Sequence, residues 1–256
     1  VQILSPLKTI EKNSEVVSFA CTLGTEKSTW KRIIRVFRQS RGIEVENIVD
    51  WNEKHVLAKA QFDCNVLTRK AVCDTSAGFV ERETHRNTTW QQARFEVCHH
   101  KWIDMAETDG GIALINDSKY GVGLLENSMS LSLLRATIRP DVTSDLGHHE
   151  FSYMIYPHGD DFVKAEINNI AFEYNIPLSK ADLTCENSFG ELFMQTMKMS
   201  EKGRMIVIRL SEQNGRRGKI KLGGKVKLLN FLEDVIDETD TIEYKPFEII
   251  TIGINA

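Results

Sequence analysis

Segments in which apolar and polar residues alternate recur along the whole chain, and many of the apolar positions hold β-branched side chains. Alternation with a period of two is typical of a strand that buries one face. The separators are short and rich in turn residues, which favours antiparallel pairing between neighbours in sequence. The segments predicted as strands are residues 14–21, 31–37, 43–51, 54–62, 95–99, 112–115, 129–135, 150–156, 204–210, 219–222, 226–229 and 247–252.

Only two stretches have a spacing of apolar residues that fits a helix. In residues 162–172, the apolar positions from Val163 to Ile170 recur at nearly helical intervals. Residues 191–199 fit an alternating strand about as well as a helix. Strands therefore dominate the prediction.

The predicted fold class is all-β. We expect a large antiparallel β-sandwich over residues 1–178, followed by a small C-terminal β subdomain over residues 179–256. The stretch after Pro177 turns polar and is a candidate linker. Within the second part, the turn residues Gln213-Asn214-Gly215 and Gly223-Gly224 predict two hairpins.

Composition narrows the class of protein. Hydrophobic residues make up 41% of the 256 residues, which is enough for a packed core. The 32 Lys and Arg against 36 Asp and Glu give a net charge of −4, so we expect neither a nucleic acid nor a membrane as partner. Apolar runs such as residues 111–115 are far shorter than the ~18 residues of a membrane helix. Five cysteines without a CxxC spacing, and no visible secretory signal, predict reduced thiols and a cytoplasmic protein.

Histidine doublets and an acidic pair are the first candidates for chemistry. Adjacent strand residues point to opposite faces, so His99-His100 and His148-His149 are expected to be ordinary surface or turn histidines. The pair Asp160-Asp161 is expected to be solvated. The sequence contains no nucleophile elbow, phosphate-binding loop or dinucleotide fingerprint. The residues alone therefore favour neither a catalytic nor a metal site in this chain.

Two stretches place polar and aromatic side chains where the chain is expected to leave a strand. Residues 78–90 combine ionisable side chains with an aromatic ring and show no strand alternation, and residues 114–121 lead from an apolar strand into donors, an acid and an aromatic ring. Such loops carry binding groups that suit a sugar, although a hydrogen-bonded structural loop is the competing interpretation. The candidate binding residues are Arg82, His85, Asn87, Trp90, Asn116, Asp117, Lys119 and Tyr120.

The same stretches resemble a known family. Residues 81–90, 93–97 and 100–104 are similar to a continuous motif of the glycoside hydrolase family 38 α-mannosidases. The resemblance is collinear from about Trp51 to the C-terminus and is strongest to the bacterial and cytosolic branch of the family. Shorter motifs follow in the family's order at residues 113–121, 131–135, 149–153, 156–158 and 245–249.

What the resemblance implies is partly negative. Family members are retaining exo-mannosidases in which a divalent metal, usually zinc, binds the terminal mannose and an Asp nucleophile forms the glycosyl-enzyme intermediate. The metal ligands and catalytic carboxylates lie in an N-terminal α/β domain that is followed by a helical bundle, and this chain resembles neither. It resembles the C-terminal β region, a supersandwich related to galactose mutarotase-like domains. We therefore expect a chain that holds no cofactor and is inactive alone.

The expected partners follow from this position in the family. The chain begins at Val1 rather than at Met, which suggests a piece of a longer polypeptide. Its partners would be the N-terminal catalytic domain of that polypeptide and an α-mannoside or glycan substrate, with a homo-oligomer also allowed. The loops 82–90 and 116–120 are expected to face that domain or the rim of the substrate cleft.

Two residues of the second loop have expected roles in this arrangement. Lys119 would bond a mannose hydroxyl or a metal-bound carboxylate. Tyr120 would pack on the sugar or seal the domain junction. The alternative function for the whole chain is a stand-alone carbohydrate-binding or interaction β-sandwich module.

Overall fold

The computed structural model describes residues 1–176 and 189–255. These residues form two compact units, the first within Val1–Asp74 and Val80–Leu178 and the second within Thr75–Phe79 and Ser179–Ala256. The predicted boundary between residues 178 and 179 lies outside the described residues, so the division into two domains stays a prediction. None of the described helices is long and apolar enough to cross a membrane.

The first thirteen strands form two antiparallel sheets. Nine strands pair in the order β1-β2-β3-β4-β13-β10-β9-β6-β7, and four pair in the order β5-β12-β11-β8. The strands are β1 (Gln2–Lys12), β2 (Val16–Gly24), β3 (Thr29–Phe37), β4 (Ile43–Trp51), β5 (Ala58–Asp63), β6 (Lys70–Thr75), β7 (Gly78–Glu83), β8 (Val97–Cys98), β9 (Trp102–Ala106), β10 (Gly111–Asn116), β11 (Gly121–Leu125), β12 (Ser128–Leu134) and β13 (Gly147–His158).

One face of each sheet packs into a shared hydrophobic core. Along β4, every second residue from Val45 to Trp51 is buried. Along β12 of the other sheet, Met129, Leu131 and Leu133 are buried in the same alternation. These apolar side chains belong to one contiguous core, so the two sheets form a sandwich. The all-β antiparallel sandwich predicted from the sequence is confirmed.

Helices occupy two short segments of the described residues, α1 (Thr89–Gln92) and α2 (Ile167–Asn175). The sequence did not predict α1, which lies in the stretch expected to be a loop. That stretch also begins as strand β7, which was missed because its alternation is interrupted by charged residues.

The helix predicted over residues 162–172 is wrong in its first half. The carboxylate of Asp161 accepts the backbone N–H groups of Val163 and Lys164, each at 3.0 Å, and so holds a turn instead of a helix. Glu166 then takes a left-handed φ of 54° immediately before α2 begins. Local side-chain hydrogen bonds therefore outweigh the apolar spacing in this segment.

The second unit contains a five-stranded antiparallel sheet with its own core. The strands pair in the order β14-β15-β18-β16-β17, and buried Ile208, Leu210 and Ile252 lie at the centre of the core. Residues 191–199, which fitted either a strand or a helix, include β14. The strands are β14 (Phe193–Met199), β15 (Met205–Ser211), β16 (Gly218–Leu229), β17 (Val235–Tyr244) and β18 (Ile249–Asn255).

Both hairpins predicted in this unit are wrong. Gly223-Gly224 lies inside β16, where the pairing with β17 shifts between Lys221 and Val226, so the glycines accommodate a bulge. Gln213-Asn214-Gly215 leads from β15 to β16, but β18 lies between these two strands in the sheet. Turn residues indicate where a chain can bend, and long-range pairing decides which strands become neighbours.

Leu131→Ala is expected to lower the free energy of unfolding of the first unit by about 2–5 kcal/mol, because the fully buried side chain would leave a cavity in the core. Leu125 on β11 is 46% exposed, so Leu125→Ala is the matched control and should cost about 1 kcal/mol or less. Urea unfolding followed by tryptophan fluorescence measures both, since all four tryptophans lie in the first unit. Equal losses in the two variants would contradict this position of the core.

Candidate functional site

The turn between β10 and β11 is held from inside by Asn116. Its side-chain Nδ2 donates to Nε2 of His99 at 3.0 Å and to the backbone carbonyl of His100 at 2.9 Å. Its Oδ1 accepts the backbone N–H of Lys119 at 2.6 Å. Both amide hydrogens and the amide oxygen are thus engaged within the chain, and the residue is only 1% exposed. The predicted binding residue Asn116 therefore shapes the turn.

Asp117 joins the same turn to β13. Its Oδ2 accepts the backbone N–H and the hydroxyl of Ser152 at 2.7 and 2.9 Å. Its Oδ1 accepts the hydroxyl of Ser118 at 2.8 Å. Tyr174 of α2 donates to the Ser152 hydroxyl at 2.6 Å and so extends the network to the helix. Asp117 is exposed to solvent, but both of its oxygens are already used in holding the turn.

Lys119 and Tyr120 complete the turn in different ways. The Nζ atom of Lys119 lies 4.3 Å from the centroid of the Phe151 ring, which is a cation–π distance. Burial lowers the pKa of Lys119, although the charges of Asp145 and Asp117 oppose this effect. Tyr120 is 52% exposed and borders a surface pocket. About half of the Tyr120 side chain is therefore open to another molecule.

An ion pair between a buried carboxylate and a partly exposed lysine joins two segments near the turn. Asp74 is fully buried, and its Oδ2 accepts the backbone N–H of Lys101 at 2.9 Å and the Nζ of the same residue at 2.8 Å. The backbone carbonyl of Asp74 accepts the N–H of His100 at 3.1 Å. Sequence reasoning missed Asp74, although an acidic residue directly after the apolar run Ala71 to Cys73 is a signal of a buried polar contact.

The imidazole of His99 is enclosed by this network. His99 is completely buried, and burial lowers its pKa to about 4. The charge of His100 acts in the same direction, whereas a hydrogen bond to the Tyr120 backbone opposes it. Because Nε2 accepts from Asn116, the neutral ring carries its proton on Nδ1. His99 is therefore a neutral acceptor near pH 7.

The stability of the protein is expected to fall as His99 becomes protonated. The ordinary histidine pKa is 6.5 and the buried one is about 4, so the unfolded chain binds the proton first. The contribution of the neutral His99 ring to the free energy of unfolding is present in full above pH 6.5. This contribution, up to about 3 kcal/mol, is lost as the pH falls toward 4. Urea unfolding at several pH values should give a flatter profile for His99→Asn than for the wild type. The exposed His55 provides the control His55→Asn, and an unchanged profile in His99→Asn would contradict the assignment.

The loop that follows β7 is closed by a capping box at α1. The backbone N–H of Gln91 donates to the Thr88 hydroxyl oxygen at 3.3 Å, and the Gln91 Oε1 accepts the N–H of Thr88 at 2.9 Å and that of Asn87 at 2.7 Å. The Gln91 Nε2 donates to Glu83 at 2.8 Å, which joins the helix to the end of β7. The sequence segment from Thr88 to Gln91 carries this signal.

The predicted residues of this loop divide between a cavity and the surface. Arg82 and His85 are half-buried and line a small cavity together with Arg86, whereas Asn87 is exposed. Trp90 is 79% exposed, which is unusual for so large an apolar ring. The loop therefore offers a basic cavity on one side and an aromatic surface on the other.

The two predicted loops lie at opposite ends of β11. Tyr120 directly precedes β11, whereas Leu124, near the end of this strand, lines the cavity of Arg82 and His85. Four residues of strand span ~13 Å, so the two groups of side chains lie in separate pockets. The structure thus brings the loops near each other without joining them in one site.

Among the described residues, the remaining histidines and acids contact nearby side chains and backbone groups. His148 pairs with Asp50 at 2.8 Å and with Glu150 at 3.2 Å, and His149 contacts the Asp145 carbonyl at 2.9 Å. Within residues 1–176 and 189–255, no group of three or more His, Cys, Asp or Glu side chains could hold a metal ion. The residues described here therefore do not fit a zinc site.

A buried histidine–carboxylate pair lies across β9 and β13. Nε2 of His158 is 2.7 Å from Oδ1 of Asp104, and the two side chains are 2% and 1% exposed. Burial raises the pKa of Asp104, and His158 opposes this effect. Burial would lower the pKa of His158, but the hydrogen bond and charge of Asp104 outweigh it and raise the pKa. The pair ties together the two strands that flank β10.

The cysteines of the described residues are free thiols. Cys21, Cys64, Cys73 and Cys98 form no disulfide, and Cys185 lies outside the described residues. Burial raises the pKa of Cys73 to about 12, so this thiol stays protonated.

The fold of this chain is similar to part of a protein of known structure. The crystal structure of an alpha-mannosidase from Enterococcus faecalis V583 superposes on this chain with a TM-score of 0.82 and 14% sequence identity. The superposed part covers 98% of this chain and 35% of the alpha-mannosidase chain. At that identity the similarity shows the fold alone. The chain therefore belongs, by its fold, to the antiparallel β-sandwich proteins.

Family models make the assignment more specific. The model for the glycosyl hydrolases family 38 C-terminal domain matches residues 5–143. The model for the glycosyl hydrolases family 38 C-terminal beta sandwich domain matches residues 192–252. The chain belongs to glycosyl hydrolase family 38 and comprises the region of its C-terminal domains.

Curated relatives agree with this assignment. Alpha-mannosidase G of Dictyostelium discoideum is 36% identical over 246 residues, which are 86% of this chain and 22% of the relative. Alpha-mannosidase 2C1 of Mus musculus is 38% identical over 180 residues, 65% of this chain and 17% of the relative. An alpha-mannosidase of Saccharomyces cerevisiae is 31% identical over 227 residues, which are 80% of this chain and 20% of the relative. The chain thus spans about a fifth of the length of these relatives.

Proposed function

We propose that this chain is the non-catalytic C-terminal β region of an α-mannosidase that hydrolyses terminal α-mannosides with retention, in mannose or glycan metabolism. The observation that carries the proposal is that two models of C-terminal domains match one chain in succession. The names of the relatives support the activity, and their greater length leaves room for a catalytic domain. The nucleophilic Asp and its partner carboxyl would belong to that domain.

In this proposal the sandwich supports the catalytic domain, and the loops 82–90 and 116–120 face that domain or the rim of the substrate cleft. The exposed rings of Trp90 and Tyr120 support a contact with another surface, since large apolar side chains in water favour burial. Asn116 and Asp117 would act indirectly, by fixing the turn that presents Tyr120. A bond from Lys119 to a mannose hydroxyl or to a metal-bound carboxylate stays part of the proposal.

The metal and the location of the enzyme are further parts of the proposal. A divalent ion, zinc in this scheme, would bind the terminal mannose in the N-terminal domain. Among the residues that the structure describes, no group of three or more His, Cys, Asp or Glu side chains could hold that ion. The four free thiols support a reducing compartment and hence the cytoplasm. A homo-oligomer stays a prediction.

A stand-alone carbohydrate-binding module is not favoured. Both matching models describe domains of one hydrolase family, and every relative named above is an alpha-mannosidase. Binding of carbohydrate by this region would then serve the enzyme of which it forms part.

The purified chain is expected to release no nitrophenol from an aryl α-mannoside, with or without added zinc or other divalent ions. The reason is that the proposal places the nucleophile and the metal in the catalytic domain. A complete polypeptide that contains this chain is the positive control, assayed at equal molar concentration. Metal-dependent release by the chain alone would overturn the non-catalytic assignment.

Truncation of the exposed aromatic rings tests the role of the loops in the complete enzyme. If Trp90 or Tyr120 lines the cleft, its replacement by Ala should lower kcat/KM about 2- to 10-fold, the effect of one lost aromatic contact. If the ring packs on the catalytic domain, its replacement should leave kcat/KM unchanged and lower the Tm. Phe231, which is 63% exposed in the second unit, provides the matched control Phe231→Ala. Wild-type kcat/KM and Tm in both variants would exclude both roles.

A further inference from the structure

The cavity beneath the loop 82–90 has an unusual lining. Apolar contact comes from Val97 of β8 and Leu124 of β11. The rest of the wall is polar and comes from the end of β7, the loop and α1. Its polar lining residues are Arg82, Glu83, His85, Arg86, Gln91 and Arg94.

Three residues of this lining have buried N–H or ring nitrogen atoms without a partner. Nε of Arg82, Nδ1 of His85 and Nε of Arg86 are enclosed and form no hydrogen bond with any described residue. A buried polar group without a partner costs about 1–3 kcal/mol. Three of the eight such atoms among the described residues lie beside this one cavity, which favours an occupant that the described residues do not supply.

The positive charge of the lining indicates that an anionic group would occupy the cavity. Arg82, Arg86 and Arg94 contribute three positive charges, and none of them forms an ion pair with a described residue. The single carboxylate of the lining, Glu83, already accepts a hydrogen bond from Gln91. Guanidinium groups held close together repel one another unless an anion lies between them.

The size of the cavity limits the occupant. Only about 20 Å³ is open to the centre of a water-sized group, which is room for one or two small polar groups. A sugar ring would need a pocket of several hundred Å³. A carboxylate head is small and planar, and its two oxygens match the fork of N–H donors that arginine presents.

We propose that the cavity of Arg82, His85 and Arg86 is a binding site for a carboxylate group. The carboxylate has two sources: a small organic acid from solution, or an Asp or Glu side chain from another part of the same polypeptide. In either case it receives N–H donation from the two arginines and neutralises part of their charge. The proposal is independent of whether the loop also faces a catalytic domain.

The site is tested by NMR of the arginine Nε–Hε groups in the purified chain. Sodium acetate replaces sodium chloride at constant ionic strength, so that general screening does not change. We expect the Arg82 and Arg86 signals to shift saturably with acetate. Arg82→Gln and Arg86→Gln, which also assign the signals, should each weaken acetate binding at least tenfold.

Two further variants act as controls. Arg38 is exposed and lies outside the cavity, so Arg38→Gln makes the same change of charge and should leave the affinity unaltered. Glu83→Gln removes the one negative charge of the lining and should strengthen acetate binding severalfold. Circular dichroism checks that each variant is folded.

The wild-type titration decides the proposal even if a variant fails to fold. No saturable acetate-specific shift of either arginine signal would overturn it and leave ordered water as the occupant. The same titration in a complete polypeptide containing this chain separates the two sources. Retained acetate binding assigns the site to a solution ligand, and loss of binding only in the complete polypeptide assigns it to a carboxylate of that polypeptide.

Discussion

The burial of alternate side chains between two sheets organises the first unit. Met129, Leu131 and Leu133 point into the core from one sheet, and the alternate residues of β4 point into it from the other. A slip of one residue in either sheet would turn these side chains toward solvent, so the core sets the register of the strands. The register in turn sets where each strand ends and where each loop leaves the sandwich.

Polar groups at the margin of this core decide the shape of the loops. Asn116 donates to Nε2 of the buried His99 ring and to the carbonyl of His100, and Oδ2 of Asp74 accepts from Lys101 in the adjacent segment. A buried amide or carboxylate without a partner would cost more than the bond gains, so these contacts hold the turn in one conformation. The predicted binding residues therefore fall into two groups, of which one supports the turn and the other is exposed on it.

This arrangement suits a region that stabilises and presents surfaces. The sandwich supplies rigid strand ends, and the aromatic rings of Trp90 and Tyr120 stand at separate loops near the two ends of β11. Membership of glycosyl hydrolase family 38, in the region of its C-terminal domains, gives these surfaces a context, since the matched segments make up only 22% and 20% of two of the relatives. The basic cavity of Arg82 and Arg86 adds a polar contact point, with Leu124 of β11 in its lining.

The all-β class and most of the strand positions can be read from the sequence, because a half-buried strand imposes a period of two on its own residues. Segment 43–51 coincides with β4 for this reason. Long-range packing determined which strands pair, since β18 enters between β15 and β16 from a distant part of the chain. It also decided that Asn116 is buried while Tyr120 is exposed. Both residues have polar groups able to bind a ligand. Asn116 differs because it bonds to His99 and His100, whose position beside it no local sequence pattern encodes.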